Sequence, residues 1–328
     1  LKNAGMPAAC LHSGLSQAEY FSVLDAVRNG EIKMLYAAPE RLLNDSFLAL
    51  TNSVAVAMVA VDEAHCISHW GQDFRPSYLH IAEFVESLPR RPVVSAFTAT
   101  ATNQVREDII SLLHLSSPCV LVTGFDRPNL KFEVIKPKSK FDTLLELLKK
   151  RSDNSGIVYC TTRKTVEEVE SELKKEGFSV TKYHAGLSDE VRKKNQEDFV
   201  YDRINIMVAT NAFGMGIDKS NVSFVIHYNM PKDIESYYQE AGRAGRDGKR
   251  SYAVLLTGSH TTRILRNRIA QSFPPKDFIR DVYEHLAYFY EIGVGMGCGH
   301  SFLFPIEKFC IINRYNIIET DAALRILT

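Results

Sequence analysis

The chain has 328 residues, enough for two domains and part of a third, and its 45% apolar and 24% charged make-up is that of an ordinary globular protein. The 39 basic and 39 acidic residues cancel, so no global field points to nucleic acid, and any binding surface has to be a local patch. Six cysteines without paired spacing argue against a disulfide framework, and the absence of a long apolar run or a secretory signal pattern argues against a membrane role. An intracellular protein is expected, in cytoplasm or nucleoid if bacterial.

Helical periods alternate with short apolar runs for most of the length, the pattern of a parallel α/β sheet. In a first block, helices are expected over 17–28, 79–88 and 103–115. Strands are expected over 32–37, 54–61, 92–97 and 119–123. The run 54–61 is apolar and β-branched, as for a strand buried on both faces. Gly124 to Asn129, with Pro128, marks a boundary. In the second block, strands are expected over 130–135, 156–160, 180–183, 206–209, 222–227 and 252–256, and helices over 140–150, 165–176 and 189–201. From Ser259 the alternation stops, and helices are expected over 262–271, 276–290 and 321–327. The two blocks share element order without a detectable sequence repeat.

The run 54–61 ends in Asp62 and Glu63. Acids at the carboxyl end of such a strand suit nucleotide hydrolysis: an Asp holds Mg2+ through its water shell, and a Glu orients the attacking water. Directly after come Ser68, His69, Trp70, Phe74 and Arg75, in a loop-forming segment with the chain's single Trp. Aromatics beside an Arg form a platform for bases, although Trp70 and Phe74 taken alone suit a core equally well. Joined to Asp62-Glu63-Ala64-His65, this segment resembles the aromatic-rich loop of RecQ-family DNA helicases, which links DNA contact to ATP hydrolysis and which related RNA helicases lack.

Further strings stand in the same family order. Leu11-His12-Ser13-Gly14-Leu15-Ser16 and Tyr36-Ala37-Ala38-Pro39-Glu40-Arg41 resemble RecQ motifs that touch the DNA backbone. The resemblance puts His12, Ser13, Pro39, Glu40 and Arg41 on nucleic acid, with the Pro-Glu-Arg turn opening a helix, while loop and cap chemistry accounts for both strings as well. Thr98-Ala99-Thr100 can hydrogen-bond the acidic motif and transmit nucleotide state, or can simply precede a helix cap at Thr102. In the second block, Thr210-Asn211-Ala212-Phe213-Gly214-Met215-Gly216-Ile217-Asp218 follows a strand. Gln239-Glu240-Ala241-Gly242-Arg243-Ala244-Gly245-Arg246 then places two guanidinium groups three residues apart, close to one helical turn. One of the two is suited to stabilise charge on a γ-phosphate, and the sequence leaves open which.

The resemblance implies two RecA-like parallel-sheet domains in tandem, the first incomplete, followed by a partial helical region: 1–124, 125–258 and 259–328. It implies an ATP- and Mg2+-dependent motor moving 3′ to 5′ on single-stranded DNA and opening forked duplexes in repair, recombination and replication. Asp62, Glu63, His65, Arg243 and Arg246 would be catalytic, with Asp62 toward Mg2+, and Gly216, Asp218 and Gln239 would hold nucleotide. Arg163, His184 and Thr210 would add DNA contacts. Two departures stand out. No G-x-x-x-x-G-K-[ST] occurs, so the chain is expected to be a fragment unable to hydrolyse ATP alone. Only Cys298, His300 and Cys310 occur where many relatives carry a four-Cys site, so no zinc is expected. An RNA helicase and a non-catalytic DNA-binding fragment are the alternatives.

Overall fold

The computed structural model describes residues 5–12, 14–69, 74–124, 126–214, 217, 219–258, 261–293, 296, 298–299 and 301–327. Ser13, Trp70, Gly216, Asp218 and His300, all singled out from the sequence, lie outside the described residues. The chain divides into two compact units, Leu1–Asp126 and Arg127–Thr328, with Asp233–Glu235 counted to the first. That division falls two residues from the expected boundary, and the C-terminal helices group with the second unit.

The first unit runs β1 (Ala8–Leu11), α1 (Gln17–Arg28), β2 (Met34–Ala37), α2 (Asp45–Ser53), β3 (Met58–Val61), α3 (His80–Ser87), β4 (Val93–Ala96) and α4 (Asn103–Leu112). Its strands form two parallel ladders, β1 with β2 and β3 with β4. A capping box starts α1: Ser16 Oγ accepts from the Glu19 amide, and Glu19 Oε2 accepts from the Ser16 amide. Leu24, Phe47, Leu50, Ile67, Phe84 and Ile109 meet in one core. Three expectations change here. β3 is not buried on both faces: Met58 is 52% exposed and only Val61 is buried, because among the described elements the strand has a single neighbour. Residues 119–123 form no strand, and Leu121 is 87% exposed. Pro39–Arg41 is an isolated 3-10 turn, and the next helix, α2, begins only after Asn44.

The second unit has one six-stranded parallel sheet of β5 (Leu130–Ile135), β6 (Ser155–Tyr159), β7 (Val180–Tyr183), β8 (Ile206–Ala209), β9 (Val222–His227) and β10 (Ser251–Leu256), in the order β5-β10-β9-β6-β8-β7. The helices α5 (Lys140–Lys149), α6 (Arg163–Lys175), α7 (Asp189–Val200) and α8 (Ile234–Ala241) are interleaved with it. Ser139, Thr162 and Ser188 cap the first three through their side chains. β6 and β8 are buried at every residue, as for central strands of a parallel sheet covered on both faces. The hydrophobic interior lies on both sides of these strands, around Val158, Val208 and Phe224 on one side and Ile157, Phe199 and Phe213 on the other. The described residues that follow form helices α9 (Thr261–Ser272), α10 (Lys276–Phe289), α11 (Ile306–Asn313) and α12 (Ile317–Leu327). Val282, Phe309, Cys310 and Ala323 form a small core among α10, α11 and α12.

Candidate active site and nucleic-acid interface

Asp62 and Glu63 stand where β3 ends. The ladder continues one step past the strands, with Phe97 N donating to Val61 O and Ala64 N to Phe97 O, at 2.8 and 2.9 Å. This places the acids beside Thr98. Asp62 Oδ1 accepts from the Glu63 amide at 2.9 Å, and Glu63 has φ +48°, an uncommon left-handed conformation for a side chain of its size. His65 is 3% exposed, its Nδ1 3.0 Å from Thr98 Oγ1 and 3.4 Å from Glu63 Oε2. Thr98 Oγ1 also lies 3.1 Å from Thr100 O, to which it can donate, so the Thr98 hydroxyl stands between the His65 ring and the Thr100 carbonyl. Tyr78, which the sequence did not flag, donates to Asp62 O at 3.2 Å, and burial pushes its hydroxyl pKa up to about 12. Among the described residues no three His, Cys, Asp or Glu side chains cluster as a metal cage. Carboxylate oxygens at a strand end fit a hard ion that completes its shell with water and phosphate oxygens.

The segment after His65 is closed at its base, where Arg75 N donates to Cys66 O at 2.8 Å. His69 and Phe74 stack with centroids 3.9 Å apart, and His69 and Arg75 are exposed. Ser68 is placed differently from the expected DNA contact. It is fully buried, and its Oγ donates to Asp108 Oδ2 on α4 at 2.5 Å. Ser77 Oγ donates to Glu40 Oε1 at 2.8 Å, joining the Pro39–Arg41 turn to the same region. Arg41 packs over the Tyr20 ring at 5.5 Å.

The two blocks do share a short repeat, His-x-Gly-Leu-Ser, at 12–16 and 184–188. Both copies follow a strand, and in both the glycine amide donates to the histidine Nδ1 at 3.2 Å. In both, the leucine amide bonds the histidine carbonyl and the serine caps the next helix. His12 is exposed, whereas His184 is 5% exposed and donates from Nε2 to Glu167 Oε1 at 2.8 Å. The hydrogen bond from Lys182, with a second from His184, holds the Glu167 carboxyl below its ordinary pKa. His184 therefore shapes its loop from beneath. Arg163 lies over that loop, and a Cβ at Gly186 would come within 3.0 Å of its Nη1. Thr210 is buried, its Oγ1 accepting from the Ala212 amide at 3.4 Å.

Arg243 and Arg246 are not on a helical turn. They sit in the tight turns after α8, because the helix ends at Ala241. A Cβ at Gly214 would lie 2.8 Å from Arg243 Nη2, so the glycine lets this guanidinium approach the backbone closely, and its Nε is buried without a partner among the described residues. Arg246 is exposed, and its Nη1 donates to Ile217 O at 3.0 Å. Gln239 is half-buried on α8. The turn is braced by residues that had seemed only a boundary: Arg127 Nη2 donates to Ala244 O and Gly245 O, and Asn129 Nδ2 to Gly245 O and Lys249 O, at 2.7 to 3.1 Å.

Strand order around β6 supplies one more feature. The chain goes from β6 to β7 and β8 on one side and then crosses to β9 and β10 on the other, which makes β6 the switch point where open α/β sheets receive ligands. A cavity of about 230 Å³ opens at that end, lined by Thr161, Asn211, His227, Asn229, Lys232 and Arg268 among others. His227 is fully buried and donates from Nε2 to Glu240 at 2.9 Å, while its Nδ1 has no partner among the described residues.

Comparison with known proteins agrees with this arrangement. The DEAD/DEAH box helicase family matches residues 1–109, and the helicase conserved C-terminal domain matches residues 139–248. The ATP-dependent DNA helicase RecQ of Bacillus subtilis is 46% identical over 272 residues, 83% of this chain and 46% of that protein. RecQ of Pasteurella multocida is 42% identical over 252 residues, 77% of this chain and 40% of that protein. The chain thus spans about half the length of the curated relatives it matches. Among solved structures, the Mycobacterium smegmatis helicase Lhr bound to ssDNA and AMP-PNP superposes with a TM-score of 0.64 at 18% identity, over 80% of this chain and 37% of that one, a likeness of fold. With both helicase domain models matched in order and RecQ proteins 42–46% identical over most of its length, this chain is a homologue of the RecQ helicases.

Proposed function

We propose that the chain forms the nucleic-acid-handling and much of the ATP-handling part of a RecQ-type DNA helicase. In this reading ATP hydrolysis drives 3′-to-5′ movement on single-stranded DNA and opens forked duplexes. The observation that carries it lies within the first unit: buried His65 reaches both Glu63 and Thr98, and the aromatic segment begins only a few residues further along.

Each residue then has a role. Glu63, half-exposed in its left-handed turn, orients the attacking water and accepts its proton. Asp62 would hold Mg2+ through its water shell, and the ion would neutralise charge on the phosphates. Asp62 itself is kept in place by the Glu63 amide. His65 ties the position of Glu63 to Thr98, Ala99 and Thr100, so that a change at the phosphate is felt along this strand end. In the second unit Arg246 is the better candidate for the γ-phosphate because it is exposed, whereas Arg243 braces the turn against Gly214. His69, Phe74 and Arg75, with Trp70 between them in sequence, take bases by stacking, which tolerates any sequence. Arg163, Arg41 and the two His-x-Gly-Leu-Ser loops serve the backbone, with His184 and Thr210 shaping the loops from within.

The test is nucleic-acid preference. Single-stranded DNA should quench Trp70 fluorescence in this chain, and single-stranded RNA of the same length should do so more weakly. Equal or stronger quenching by RNA would favour an RNA helicase.

A further inference from the structure

We infer that Asp108 is a positioning residue for the aromatic segment, holding its base to α4 and so to the strand end that senses nucleotide. The inference rests on the reading above, that this segment receives DNA. Ser68 is fully buried directly before the aromatic residues, and its hydroxyl donates to Asp108 Oδ2 at 2.5 Å, a charge-assisted bond of the strong kind. The other carboxylate oxygen accepts from Gln104 Nε2 at 3.2 Å, which fixes the carboxylate plane from one helical turn earlier.

What makes this bond more than local packing is where α4 begins. Thr102 caps the helix by accepting from the Val105 amide, two residues after Thr100, and Thr98 is the partner of His65. The inner face of α4 is anchored in the core by Val105 and Ile109, so its two ends are held in fixed relation by one continuous helix. The 98–100 strand end is thus linked to Ser68 through the backbone at the Thr102 cap, through α4, and through the Asp108 carboxylate. The route from His65 through Thr98 and α4 to Asp108 and Ser68 returns to a point three residues from where it started. It gives the aromatic segment a side-chain tie to the nucleotide side in addition to the backbone that joins Glu63 to Ser68. Nothing in the sequence pairs Ser68 with a residue 40 positions away.

The chain has one tryptophan, Trp70, so emission excited at wavelengths that tyrosine does not absorb reports on this segment alone. Titration of the 328-residue chain with oligothymidylate, read by Trp70 emission, together with a melting curve, tests the proposal on Asp108→Ala, Ser68→Ala and Asp108→Asn. Loss of a properly placed stacking contact should weaken DNA binding about tenfold in Asp108→Ala and Ser68→Ala, with a changed Trp70 emission in the absence of DNA, both read at a temperature where the melting curve shows each variant fully folded. Asp108→Asn keeps an oxygen for Ser68 and should restore most of the response. Wild-type affinity and emission in both Asp108→Ala and Ser68→Ala would overturn the positioning role and leave the DNA reading intact. So would a loss of binding that only follows a loss of melting temperature in both. If wild-type Trp70 does not respond to DNA at all, the DNA reading fails, and the positioning role with it.

Discussion

Lys219 closes the 210–219 motif, and its burial makes it a sensitive probe of how that motif is held. Its side chain is 1% exposed, and Nζ lies 2.5 Å from Asp202 Oδ1, with Val200 O at 3.5 Å and the Phe199 ring at 5.1 Å. Asp202 has φ +58° and also accepts from Asn221 and Ser155. Asp202→Asn is the informative change, because asparagine tolerates the left-handed region and keeps an acceptor while removing the charge. Unpairing a buried charge costs about 3–5 kcal/mol. The Asp202 side chain is 55% exposed and its amide replacement still accepts, so about 2 kcal/mol is expected here. For a unit of this size that is a fall in melting temperature of roughly 4–8 °C. The hydrogen bond from Lys219 lowers the Asp202 pKa. Its stabilising effect is therefore full above the unfolded value and is lost as pH falls through the lower, folded one. Asp202→Asn should lose that part of the acid sensitivity, and Lys219→Met combined with it should recover stability by burying an apolar side chain instead. Calorimetric melting from pH 2.5 to 7 follows all three. A melting temperature within about 1 °C of wild type for Asp202→Asn at neutral pH would refute the argument.

Three other outcomes are expected. The 328-residue chain, which contains no P-loop sequence, should hydrolyse ATP negligibly in a phosphate-release assay with or without DNA; helicase-like turnover would show that another group holds the phosphates. It should purify without stoichiometric zinc by elemental analysis, and chelation should leave its melting curve unchanged, because α10 to α12 pack through Val282, Phe309 and Ala323. In a protein that carries a P-loop, Arg246→Ala should lower kcat by roughly 10³ with little change in melting temperature, while Arg243→Ala should lower both; equal, purely catalytic losses would reverse the assigned roles.

What could be foreseen from the sequence was local, and what could not was made by distant pairs. The acids at the end of β3, the helix caps at Ser16, Thr102 and Ser188 and the strands of the second sheet all follow from short-range pattern. Val120, Leu121 and Val122 have the composition of a strand, yet no neighbour pairs with them among the described residues, and composition carries no information on pairing. Arg127 and Asn129 precede the arginine turn they brace by more than 100 residues, and the Ser68–Asp108 and His227–Glu240 pairs likewise have no signature in spacing. Arg243 and Arg246 have the spacing of a helix, but Gly242 and Gly245 interrupt it. His184 shows the limit of motif reasoning most clearly: the string marks the loop correctly, while burial and Glu167 turn the side chain away from solvent.

We propose that the acids, the aromatic segment and the arginine turn each serve a DNA-driven ATPase. The most direct test is ATP hydrolysis and strand displacement by this chain joined to a P-loop-bearing segment upstream, compared with the same protein carrying Glu63→Gln. The account predicts turnover stimulated by single-stranded DNA, unwinding of duplexes with a 3′ overhang, and loss of both in Glu63→Gln with DNA binding retained. Hydrolysis indifferent to DNA, or unimpaired in Glu63→Gln, would contradict it.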